Sequence, residues 1–269
     1  MSLMRINHVR NELKTLGDVI KALKKNHKRD LDEYNIQASE TESHFTERES
    51  IALGHQDWEA LQEINKEKFT NTQPLKTIES LAKLQNELIL VKHVALLESM
   101  IVKMFWCLTH VFAHEEYQKE YFVDLVNFSD SFEAASKLRE LTNGNINLKT
   151  LKFWSVFETL KTIRNTIAHG DPLFIVSHRR ATKFNSQIDL IKLSSEKNEC
   201  PHTKSLYPSR FTPSYEPKSK WFCCLKSDLE GITQLNEKCI SFVEDVRQLY
   251  LKFGKDKGIS TDSLYACRR

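Results

Sequence analysis

Glycine and proline are scarce in this chain, with 7 and 6 among 269 residues. So few turn formers exclude an architecture of many short strands, which needs a turn about every ten residues. The six cysteines are scattered. They make no disulfide framework and suit the reduced thiols of a cytoplasmic protein. No P-loop, dinucleotide-binding glycine pattern, G-x-S-x-G elbow or H-E-x-x-H motif occurs, so the chemistries tied to those motifs lack their signatures. A charge-free apolar run is also missing. The most apolar stretch, Leu88 to Phe112, contains Lys92, His93, Glu98, Lys103 and His110, which argues against a membrane span. Met1 leads directly into a charged amphipathic segment, without the apolar core of a signal peptide.

What is present fits a folded helical protein. Hydrophobic residues make up 40% and charged residues 28%, enough for a core and too apolar for a disordered chain. The net charge of +3 is small, but charge is segregated along the chain. Between His178 and Lys226 lie Arg179, Arg180, Lys183, Lys192, Lys197, Lys204, Arg210, Lys218, Lys220 and Lys226, against Asp189, Glu196, Glu199 and Glu216. The stretch from Glu40 to Glu67 is acidic. A basic segment attracts a polyanion, although a solvated loop has the same composition.

Hydrophobic spacing predicts the elements. Ile6, Val9, Leu13, Leu16, Ile20 and Leu23 alternate at three and four residues, a narrow stripe suited to packing on a second helix. Residues 36–50 are polar and aperiodic and read as a linker. A short helix with Trp58, Leu61 and Ile64 follows, and Pro74 opens the next one. That helix, over 75–114, is expected to be the central core element, with Leu81, Leu84, Leu88, Val91, Ala95, Val102, Phe105 and Phe112 on one stripe. A helical region over 117–140, a turn at Asn143–Gly144–Asn145, and a helix over 148–169 capped by Asn147 come next. Gly170 and Pro172 end that helix. Leu173–Val176 and Gln187–Leu193 pair as a small ribbon, residues 194–221 form a long excursion, and a last helix spans 226–253. The fold class expected is all-α, an up-and-down bundle with a long core helix and a small β-ribbon insertion. Residues 1–70 form an N-terminal helical extension, 71–253 the main helical domain with an insertion at 173–225, and 254–269 a flexible tail.

The segment that carries chemistry is Ile163–Arg164–Asn165–Thr166–Ile167–Ala168–His169–Gly170–Asp171–Pro172. Asn165 and His169 are four apart and share a helix face, whereas Arg164 and His169 diverge by about 140° on an ideal helix. The C-terminal dipole of a helix favours a cation at His169. RNA cleavage needs few parts, because the ribose 2′-hydroxyl already lies beside the scissile phosphate. An imidazole can move the proton, and a guanidinium can bind phosphate oxygens in a fork. That route needs no metal and no cofactor. Glu98 sits on the long helix's stripe, where a buried carboxylate needs a partner, and Arg164 is the expected one.

This segment resembles the R-x4-6-H signature of the HEPN superfamily, in which a polar residue often follows the Arg. The helix with Trp154, Phe157 and Leu160 and the preceding long helix are similar to that all-helical bundle, so the architectural likeness spans about residues 75–253. The resemblance implies a homodimer in which two motif helices face one cleft. It makes His169 the proton-transfer residue, Arg164 the phosphate clamp and Asn165 an orienting residue, with RNA as substrate and Arg179, Arg180 and Lys183 as further RNA contacts. It also implies a toxin or antiviral defence role, restrained or triggered by a protein partner. A tyrosine two positions after the His, present in one branch, is Asp171 here. Two other readings stand beside it. Arg164 and His169 also suit a helix C-terminus as dipole partner and cap, which leaves a non-catalytic module binding nucleic acid or protein. The N-terminal stripe also suits a purely structural dimerisation protein. For metals, Cys200, His202, Cys223 and Cys224 lack paired finger spacing, and His110 with His114 supply only two ligands.

Overall fold

The computed structural model describes residues 2–112, 130–168, 173–177, 194–197, 220–226 and 229–259. The described residues are mostly helical, with one small sheet among them. Helix α1 spans Ser2–Gly54, α2 Trp58–Asn71 and α3 Gln73–Phe112. Helix α4 spans Ser131–Leu141, α5 Trp154–Ala168 and α6 Leu229–Asp256. Strands β1 (Leu173–Ser177), β2 (Ser194–Lys197) and β3 (Lys220–Lys226) form an antiparallel sheet in the order β1-β3-β2.

The N-terminal stripe folds as its spacing predicts. Leu3, Ile6, Val9, Leu13 and Ile20 are buried in the main core, with Leu16 and Leu23 packed at its edge. They meet α3 and α6. Helix α3 is the hub and packs on α1, α4, α5 and α6. From Ile89 to Leu108 it buries residues on most sides, among them Leu97, Met100, Ile101, Met104 and Phe105. Helix α6 runs antiparallel to α1: Gly17 lies against Asn236, and Arg10 against Glu244 at 3.6 Å. An aromatic cluster seats α5. Phe132 meets Trp154 and Phe157 edge-on, and Phe157 stacks on Phe242 with ring centroids 6.4 Å apart.

Helix α1 does not stop where its stripe fades. Residues 36–50, read from sequence as a linker, continue the helix to Gly54. The polar residues tolerate this, and packing on α2 supports it. The hydroxyls of Ser39, Thr41, Ser43 and Thr46 donate back to carbonyls three or four residues earlier, so they do not compete with the helix. A second, smaller core of Phe45, Ala52 and Ile64 joins this half of α1 to α2. Asp57 caps α2 by accepting from the Ala60 amide, and Arg48–Glu67 and Glu49–Lys68 bridge the two helices. Helix α2, and after the break at Thr72 helix α3, run antiparallel along α1, from the Tyr34–Asn71 contact to Glu12–Lys92. The outer half of α1, α2 and the start of α3 thus make a thin helical arm.

Three further sequence expectations change. The stripe of Leu81, Leu84 and Leu88, read as core, is 52%, 51% and 60% exposed. Helix α3 turns Leu75, Ile78, Asn86 and Ile89 inward instead. Asn147 makes no side-chain cap, and the chain after it forms only a 3-10 turn, Leu148–Thr150, before Leu151 turns extended. The connection is held by Thr142, whose hydroxyl donates to the Leu138 carbonyl and accepts from the Ile146 amide. The expected turn at Asn143–Gly144 is present. Both have positive φ, and the Gly144 and Asn143 amides bond back to Arg139 and Glu140 as in a Schellman cap. The strand over 173–177 pairs with 220–226, which begins at the end of the segment read as an excursion. Its expected mate, 187–193, lies outside the described residues. The last helix passes Gly254 and ends at Asp256, with Gly258 at φ 65 just beyond.

Among the described residues no helix is long and apolar enough to cross a membrane.

Candidate functional site

The site begins with Glu98, midway along the part of α3 that lies in the main core. Its side chain is only 13% exposed and faces α5. Two cations meet it. Arg164 Nη2 donates to one carboxylate oxygen at 2.7 Å, and Lys161 Nζ lies 3.2 Å from the other. Lys161 and Arg164 are three apart on α5 and therefore share a face. The pairing of Glu98 with Arg164, expected from the sequence, is the central contact of this cluster.

Helix α4 closes the third side. The Ser131 hydroxyl donates to Glu98 at 3.3 Å and accepts from Lys161 at 3.2 Å. Lys161 also reaches Asp130 at 3.3 Å and sits 4.3 Å from the centre of the Phe132 ring. Asp130 caps α4 by accepting from the Phe132 amide at 2.7 Å. Burial pushes the Asp130 carboxyl up. The Phe132 amide, Lys161 and the Glu133 amide outweigh it and hold the group below its ordinary value. The N-terminus of α4 thus adds its dipole to the one cation that meets this carboxylate, Lys161.

Lys161 was not singled out in the sequence. Its signal was nonetheless there, as a second cation one turn before Arg164 and opposite the same carboxylate. It is buried to the same degree as Glu98, with 13% of its side chain exposed. Arg164 is more open, at 25%. Its Nε is buried without a hydrogen-bond partner among the described residues. Such a donor is costly, and in native proteins it calls for an explanation. Asn165 lies on the exposed side of α5, while Ile163 and Ile167 hold the helix to the core.

His169, Arg179, Arg180 and Lys183 lie outside the described residues, as do Cys200, His202 and His114. The cluster of Glu98, Asp130, Lys161 and Arg164 carries two acids and two bases and is balanced in formal charge. It can fix a guanidinium at the last described turn of α5, with one edge bound to a carboxylate. That arrangement aims an arginine without neutralising every donor of its fork. The chain matches no family model, and neither the curated proteins nor the solved structures contain a match to it.

Proposed function

We propose that the chain is a metal-independent endoribonuclease of the HEPN type, acting as a homodimer. The observation that carries this reading is the Glu98–Arg164 contact at 2.7 Å, which holds the motif arginine near the end of α5 with a quarter of its side chain exposed. Arg164 binds the scissile phosphate, and His169 moves the proton between the 2′-hydroxyl and the leaving 5′-oxygen. Attack by the 2′-oxygen forms a 2′,3′-cyclic phosphate and expels a 5′-hydroxyl. Asn165 orients the imidazole or the RNA, Arg179, Arg180 and Lys183 extend the contact to the backbone, and a protein partner restrains the activity. A toxin or defence role, in the cytoplasm, belongs to the same reading.

The test is cleavage of a mixed RNA substrate in the presence of chelator. Wild type should give cyclic-phosphate ends, and Arg164→Ala and His169→Ala should each lose about a hundredfold or more in rate. Cleavage that is equal in all three proteins overturns the site. Glu98→Gln tests the positioning role. It should lower the cleavage rate and also destabilise the fold, because Lys161 and Arg164 lose their shared counter-charge.

A second reading rests on the same cluster's balance of charge. Lys161 and Arg164 already face Glu98 and Asp130, as cations in a structural network do. On that reading the chain is a binding module for nucleic acid or protein. RNA retention without cleavage by any variant, including wild type, favours it.

A further inference from the structure

The stripe that leaves the core is a self-complementary surface. Leu81, Leu84, Leu88, Val91 and Ala95 follow one another at spacings of three, four, three and four. The three leucines are each at least half exposed, Ala95 is exposed and Val91 is half-buried. Each of these leucines leaves about half of its apolar surface in water, so a row of three is unusual for a surface without a partner. The side of α3 opposite this row packs on α1 through Leu75, Ile78 and Ile89. Among the described residues no helix covers the three leucines of the row.

With Leu81, Leu88 and Ala95 at the first apolar position of each heptad and Leu84 and Val91 at the second, the flanking positions are set. Glu87 falls on one flank and Lys92 on the other, five residues later. This is the spacing at which the flanks of two parallel, in-register helices meet across a coiled-coil seam. The two residues carry opposite charges. Each side chain has room to turn outward, with 27% of Glu87 and 54% of Lys92 exposed. Their contacts within the chain are long, 3.9 Å to Lys83 and 4.0 Å to Glu12. An antiparallel mate would instead set like flanks together, glutamate flank to glutamate flank.

We infer that α3 pairs with α3 of a second copy as a short parallel coiled coil through Leu81, Leu84, Leu88, Val91 and Ala95, locked by Glu87 to the partner's Lys92 and the reverse. The two-fold axis lies along the seam, so each copy presents the same row. Association of this kind does not depend on the nuclease reading, and sizing and cleavage assays fail separately. It does deepen that reading, because the seam ends one turn before Glu98 and so brings two Glu98–Arg164 clusters to the same end of one axis.

The test is the mass of the full chain in solution by light scattering, with circular dichroism as the folding control. Wild type should be a dimer, and Leu84→Glu/Leu88→Glu a monomer of unchanged helicity. Glu87→Lys should raise the dimer dissociation constant about tenfold, since two attractive flank pairs become repulsive, and Glu87→Lys/Lys92→Glu should restore it. Leu84→Cys should give a reducible covalent dimer, because parallel in-register helices bring the two positions face to face. A wild-type monomer overturns the proposal, which would mark the row as a seat for a different protein. A dimer indifferent to the leucine variants overturns it as well. Loss of dimer in those variants without a Leu84→Cys crosslink, or without rescue by the double charge reversal, overturns the parallel arrangement.

Discussion

At the scale of single residues, the most constrained group outside the candidate site is His93. It is fully buried on α3, with Nδ1 2.8 Å from the Ile89 carbonyl and Nε2 2.9 Å from Asn236 Oδ1. A neutral imidazole has one N–H, so it can donate to only one of these acceptors. Burial pushes the pKa of this ring down, against the opposing pull of the Asn236 and Ile89 oxygens. The folded protein therefore takes up the proton at lower pH than the unfolded chain, where histidine titrates near ~6.5. Between those two values the unfolded state holds more protons, so stability falls as pH drops below the unfolded value. Urea unfolding should show lower stability at pH 5.5 than at pH 7.5, with this residue contributing to the difference. His93→Gln should remove that part of the slope. An identical slope in the variant would place the pH sensitivity elsewhere.

At the scale of elements, the close approach of α1 and α6 rests on one glycine. A Cβ at Gly17 would stand 2.7 Å from Asn236 Nδ2, and Asn236 is 95% buried and tied to His93. In an exposed helix interior, replacing glycine by alanine gains about 1 kcal/mol. Here a shift of the amide would break its bond to His93, so Gly17→Ala should instead cost about 1–3 kcal/mol and lower Tm. In an Asn236→Ala background the same change should stabilise. The sequence did not announce this contact, since a lone glycine in a periodic stretch says nothing of what lies across from it. It did announce most helices, because three–four spacing and breakers such as Pro74 act locally. It misplaced the Leu81–Ala95 row because α3 carries apolar residues on two sides, and spacing alone does not say which side meets the body. It also missed the outer half of α1, where the helix is held by a small cluster of buried side chains shared with α2 rather than by a stripe. In the site, the Glu98–Arg164 pair was legible because a carboxylate inside an apolar row needs a cation. Lys161 could have been read there too, as a second cation one turn before Arg164, whereas Asp130 could not, since its place depends on how α4 is turned.

At the scale of the whole molecule, two cores of unequal size share α1. The main one gathers α1, α3, α4, α5 and α6, and the arm has only Phe45, Ala52 and Ile64 with Ala60 and Leu61 at its edge. So small a cluster should open at a lower free energy than the body. Ile64→Ala, which removes most of a side chain that is 1% exposed, should raise hydrogen exchange across residues 45–70 while Val94–Leu108 stays protected. Equal loss of protection in both regions would mean that arm and body unfold as one unit. Between Gly17 and Gly54 helix α1 contains neither glycine nor proline, the residues at which helices most often bend. A rod of 53 residues, about 80 Å long, therefore carries the arm like a gauge bar. Whatever grips the turn near Trp58, 68% exposed at the far end, meets the molecule at a span fixed by the length of one uninterrupted helix, and a deletion of whole turns from its middle would shorten that reach by about 5.4 Å each.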